Sequence, residues 1–147
     1  MENPFLSEEY RSLIRDHLER SISFLLTRGM EFSFAADVRY LSSTPELPPH
    51  IKEAFSDISL FVISGYTFET ARLDDGNIRF EAGFGEENFG ADVTIPLLAI
   101  KQLFVDDLPI VFNISSPVPT EDERAERSMK ALLSNPENRK LFGKKKR

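Results

Sequence analysis

The chain has 147 residues, 24 acidic and 18 basic side chains, a net charge of −6 and no cysteine. That length holds one domain with a single core and a tail, and the lack of Cys with only two His excludes disulfides, thiol catalysis and Cys/His zinc sites. Residues 1–120 hold 19 acidic and 9 basic residues (net −10), while 121–147 hold 5 and 9 (net +4), so the body repels polyanions and only the C-terminal stretch attracts them. No run approaches the ~18 apolar residues of a membrane span. MENPFLSEEY carries acid where a secretory signal carries Lys or Arg, so a cytoplasmic location is expected.

Residues 7–28 predict an amphipathic helix, with Tyr10, Leu13, Ile14, Leu18, Ile22, Leu25 and Leu26 at spacings of three and four. Ser7 is the expected N-cap and Arg28-Gly29 the expected end. His17, close to the apolar stripe, reads as a partly buried packing residue. From residue 30 the period changes to two, and MEFSFAADVRY predicts a half-buried strand with Phe32, Phe34, Ala36, Val38 and Tyr40 on one face. LSSTPELPPH has three prolines and predicts a long loop leading to a helical turn at 51–55. ISLFVISGYTFETARL predicts two apolar strands, 58–63 and 66–73, and apolar residues on both faces of 58–68 predict that this pair is covered twice.

DDGN at 74–77 is a hairpin signal, followed by alternating NIRFEAGF and, after the turn GEEN, by FGADVTI. Pro96 ends that strand and opens an expected short helix, LLAIKQLF, before a last strand at 109–115. From 116 onward the proline and charge density predict a linker of weak helical tendency ending in RKLFGKKKR. The expected fold is mainly β (α+β): an N-terminal helix, five or six antiparallel strands curled into an open barrel, one short helix before the last strand and a C-terminal tail.

Little of this carries catalytic chemistry. Neither His17 nor His50 belongs to a nucleophile turn. Asp74-Asp75, Glu86-Glu87 and Asp106-Asp107 all fall at turns, where carboxylates suit backbone and solvent. GFGEENFG lacks the Lys and Ser/Thr of a phosphate-cradling loop and reads as a hairpin turn. No enzyme activity, cofactor or metal is expected. What remains is apolar surface: aromatics beside strand backbone can accept an extended peptide by main-chain hydrogen bonding, though Tyr66 and Phe68 also fit as plain core.

The ordered set PPHIKEAF, ISLFVISGYTF, NIRFEAGFG, VTIPLLAIKQLF and PIVFNI resembles the SspB family, adaptors that deliver ssrA-tagged proteins to the ClpXP protease, and its proline-rich loop is closer to a divergent, longer-loop branch. The resemblance covers residues 7–115. It implies an Sm-like open barrel over 1–115, a peptide groove on Phe61, Ile63, Tyr66, Phe68, Ala82 and Phe84, and a homodimer with helix participation through Tyr10, Leu13, Ile14 and Leu18. It also implies that 116–147 is a linker whose end, Leu141 and Phe142 with Lys144, Lys145 and Lys146, docks on the N-terminal domain of the ClpX unfoldase. The turn GEENFG is longer and more acidic than the family's usual glycine pair. A small RNA-associated protein using the basic tail is the alternative, and the acidic body argues against nucleic acid. A structural dimer with no ligand groove is a third reading.

Overall fold

The structure, a computed structural model, describes residues 3–117. The expected tail residues Leu141, Phe142, Lys144, Lys145 and Lys146 lie outside the described residues.

Helix α1 spans Glu8–Thr27, and its start is the one the sequence predicts: the Ser7 side chain accepts from the Tyr10 N–H, with Glu8 and Glu9 in the first turn. It buries Ile14, Leu18, Ile22 and Leu25, and packs against Leu97–Ala99 and the segment Arg72–Asp74. Each such side chain contributes about 1.5–3 kcal/mol of transfer free energy. Leu13 and His17 are exposed, so His17 is a solvated residue rather than a packing one. Its position, three after Ile14 but one before Leu18, puts it past the rim of the buried stripe.

Among the described residues eight strands form two antiparallel four-stranded sheets. They are β1 (Phe32–Asp37), β2 (Ser42–Thr44), β3 (Ile58–Ile63), β4 (Arg72–Asp74), β5 (Asn77–Phe84), β6 (Phe89–Pro96), β7 (Ile100–Val105) and β8 (Leu108–Phe112). The first sheet has the order β3-β1-β7-β8 and the second β2-β6-β5-β4. Their inner faces and α1 share one core, with Phe34, Phe80, Ile63, Ile95 and Leu103 fully buried. The domain is mainly β with an N-terminal helix, as the patterning predicts, and its sheets do not close into a continuous barrel among the described residues.

Three local expectations are corrected. Tyr66–Leu73 is not a strand: Gly65 takes φ +56, the chain leaves the extended region, and Gly65–Thr70 winds into the short helix α3 before β4. LLAIKQLF is not a helix, because only Leu97–Ala99 makes a 3-10 turn and Ile100–Val105 becomes β7, a central strand paired with both β1 and β8. Ladder hydrogen bonds on both sides outweigh the local helical pattern there. The proline loop holds a short edge strand, β2, on β6, and its helix, α2 (Pro49–Ala54), begins earlier than predicted with Pro49 at its first position.

The turns follow their residues. Asp75 and Gly76 both take positive φ between β4 and β5, as do Asp106 and Asp107 between β7 and β8. Both are two-residue connections of the twist-matched hairpin kind, which explains the carboxylate pairs by backbone geometry. Residues just past β8 are held tightly. Asn113 Nδ2 donates to the carbonyls of Leu98 and Ile100 at 2.9 and 2.8 Å, and Arg11 Nε donates to Ser116 O at 3.0 Å. Ser115 and Ser116 are buried, so the body extends past the point where the linker was expected to begin.

Candidate functional site

The two sheets meet without strand pairing along one corner. β3 ends its sheet, and β4 covers β5 only over Asn77–Arg79, leaving Phe80–Phe84 paired to β6 alone. Two strand edges therefore border this seam, and side chains fill it. Phe61 of β3 lies 6.2 Å from Phe80 of β5, and Phe55, just after α2, reaches Phe61 at 5.9 Å and Phe84 at 6.0 Å. Edge-on and tilted ring contacts of this kind add modestly to the area they bury.

At the other end α3 is fastened across the seam. Tyr66 and Thr70 are four residues apart and share a helix face. Tyr66 Oη donates to Glu81 Oε1 at 2.7 Å, and the Glu81 N–H donates to Thr70 Oγ1 at 2.9 Å. The carboxylate beside the phenol raises the Tyr66 pKa above its ordinary value of 10.0. The Gly65 N–H donates to Glu31 Oε2 at 2.8 Å, so the helix start is anchored to the residue before β1.

The expected groove residues divide by strand facing. Phe61 and Ile63 point into the core, and Ile63 is wholly enclosed. Tyr66 is exposed and stands on α3 rather than on a strand. Phe68 is half-buried, 6.3 Å from the Phe32 ring, while Ala82 and Phe84 are half-buried on β5. The structure thus brings Phe61 and Phe84 to one corner through Phe55, sets Tyr66 apart on α3 against Glu81, and takes Ile63 away from any surface. Phe55 belongs with them and was not predicted. A Phe placed right after a six-residue helix, one turn from Ile51, is the signal that could have found it.

No protein-family model matches the chain, and no curated protein is similar to it at a significant level.

Aromatic rings and two strand edges make up the seam. Among the described residues no three His, Cys, Asp or Glu side chains are grouped to hold a metal. Its charged rim is paired: His50 Nε2 lies 3.0 Å from Glu87 Oε1, and Lys52 Nζ donates to Glu46 Oε1 at 2.7 Å. In the β5–β6 turn the Asn88 side chain lies against Gly83, where a Cβ would meet its Oδ1 and force that side chain to move. Of the helix residues expected at a dimer contact, Ile14 and Leu18 face the protein's own core, Tyr10 is half-buried against Phe5, and Leu13 is exposed. Among the described residues no helix is long and apolar enough to cross a membrane.

Proposed function

We propose that this protein is a non-catalytic adaptor that takes an extended peptide, of the degradation-tag kind, along the aromatic seam and presents its cargo to a ClpX-type unfoldase through its C-terminal stretch. The observation that carries the reading is an unpaired β3 edge running beside the Phe55–Phe61–Phe84 cluster. A strand edge offers main-chain donors and acceptors to an extended chain, and neighbouring aromatic hollows accept alternate side chains. The resemblance to the SspB family supplies the kind of peptide and the unfoldase.

Affinity at such a seam is modest, since only one strand's width of contact is made. A second weak contact at the far end of a 30-residue stretch, 118–147, raises the effective concentration of cargo at the unfoldase. Fluorescence anisotropy with labelled peptides bearing C-terminal degradation tags tests the first half: saturable binding that Phe84→Ala weakens supports it, and no binding by any tag sinks it. Removing residues 139–147 tests the second half, because tag binding persists while stimulated degradation by the unfoldase and its protease is lost.

A further inference from the structure

We infer that Glu81 selects the charge of the peptide taken by the seam, so that the substrate class is a basic segment, with Lys or Arg set among apolar residues, and an acidic segment is disfavoured. This rests on the peptide-binding reading above and names the kind of peptide that the site prefers.

Glu81 stands on the stretch of β5 that β4 leaves uncovered. The pleat sends Phe80 and Ala82 toward the core and Glu81 to the outside. Directly across from it on β6 is Asp92, a second carboxylate. Like charges opposite one another on paired strands oppose folding, and the cations that would relieve this are engaged elsewhere. Arg72 donates to both oxygens of Asp92 at 3.0 and 2.9 Å, while Arg79 donates to Asp74 at 3.0 Å and to Asp92 at 3.2 Å. Glu81 is left with one neutral partner for its carboxylate, the Tyr66 hydroxyl. Proteins keep such locally unfavourable arrangements chiefly where function needs them.

The carboxylate is also aimed. Tyr66 Oη fixes its Oε1 from α3 at 2.7 Å, and Thr70 Oγ1 holds the Glu81 N–H at 2.9 Å, so side chain and backbone are both anchored. Among the described residues none donates to Oε2. An ammonium or guanidinium arriving there makes a charge-assisted hydrogen bond to a group that is already ordered. A peptide lying along the uncovered edge of β5 takes the place of a neighbouring strand, and every second side chain of it stands on the outer face beside Glu81. The surroundings have the same sign. Glu31 accepts from the Gly65 N–H at 2.8 Å, and the Tyr66 pKa is raised by Glu81 above all and by Glu69 as well. At the other end of the seam both basic side chains are engaged, Lys52 by Glu46 at 2.7 Å and His50 by Glu87 at 3.0 Å. An acidic peptide side chain thus meets carboxylates and no free cation among these rim residues.

Anisotropy of the full chain with three labelled peptides, Ala-X-Leu-X-Tyr-X-Leu-X-Ala with X as Lys, Gln or Glu, tests the selection. Affinity should fall in the order Lys, Gln, Glu, with the Lys and Glu peptides about tenfold or more apart at low salt and drawn together as salt rises. Glu81→Gln keeps an acceptor for Tyr66 and should remove most of the difference between the Lys and Gln peptides. Glu9→Gln takes the same charge from α1 and should leave that difference in place. Equal affinities, or a reversed order, overturn the inference while the seam stands as a peptide site. A Lys preference undiminished in Glu81→Gln belongs to the acidic body as a whole and overturns the role of Glu81. Failure of all three peptides to bind is a separate outcome, which removes the peptide-binding reading and the inference with it.

Discussion

Tyr66 donates a 2.7 Å hydrogen bond to Glu81, and this contact ties the short helix after β3 to the exposed edge of β5. Both residues sit at the surface, so the contact shapes one end of the seam more than it stabilises the fold. Tyr66→Phe is expected to leave the melting temperature nearly unchanged while weakening tag-peptide binding, and Tyr66→Ala to weaken it further. Equal peptide affinity in all three proteins would remove α3 from the site.

The same pair predicts a titration. Glu81 beside the phenol raises the Tyr66 pKa, so the contribution of this contact to stability is complete below the ordinary value of 10.0 and is lost as pH rises through the folded value. An ultraviolet titration of the folded protein should show one tyrosine ionising later than an ordinary one. Glu81→Gln should return that tyrosine to the normal range.

Core and seam phenylalanines should separate in a stability scan. Phe80 is 1% exposed and packs on Phe34 and Phe61, so Phe80→Ala is expected to cost about 3–5 kcal/mol. Phe84 and Phe55 are half-buried, and their Ala variants should lose peptide affinity while remaining folded at ambient temperature. Urea denaturation beside anisotropy measures both quantities on the same samples.

Asp37 is buried under the Arg39 guanidinium, which hydrogen-bonds its carboxylate and holds its pKa below the usual value against the opposing effect of burial. A depressed folded pKa contributes stability above the unfolded value of ~3.9 and loses it as pH falls through the folded one. Asp37→Asn should therefore be less stable than wild type at pH 7, with the gap closing in acid. A gap of constant size from pH 7 down to pH 2 would assign the loss to packing instead.

Asn113 holds the exit of the body. Its amide donates to two carbonyls and its Oδ1 accepts from the Ser115 N–H at 2.7 Å, all buried. Asn113→Ala leaves those groups unsatisfied and should cost roughly 1–3 kcal/mol by urea denaturation. Hydrogen exchange at Ser115 should quicken in the same variant.

Periodicity and turn chemistry made much of this fold legible. The stripe from Ile14 to Leu25, the Ser7 cap, the DDGN hairpin and the alternation of NIRFEAGF each depend on residues near one another in sequence, where sterics and local hydrogen bonds decide. Tyr66–Leu73 and Leu97–Phe104 could not be read this way. Tyr, Thr and Phe favour strands in general, but Glu81 and Gly65 together select a helix at 65–70, and β1 and β8 select a strand at 100–105.

The facing of β3 separates the two kinds of knowledge most clearly. Its sequence alone determines that both faces are apolar and that alternate residues part company, because a strand repeats every two residues. Only the tertiary structure decides that Phe61 and Ile63 meet the core, that Phe61 joins Phe55 and Phe84 at an unpaired edge, and that Leu60 and Val62 are left to solvent. Those outcomes depend on which strands pair and where the sheets end, and pairing is set by contacts between residues far apart in the chain, to which no local pattern has access.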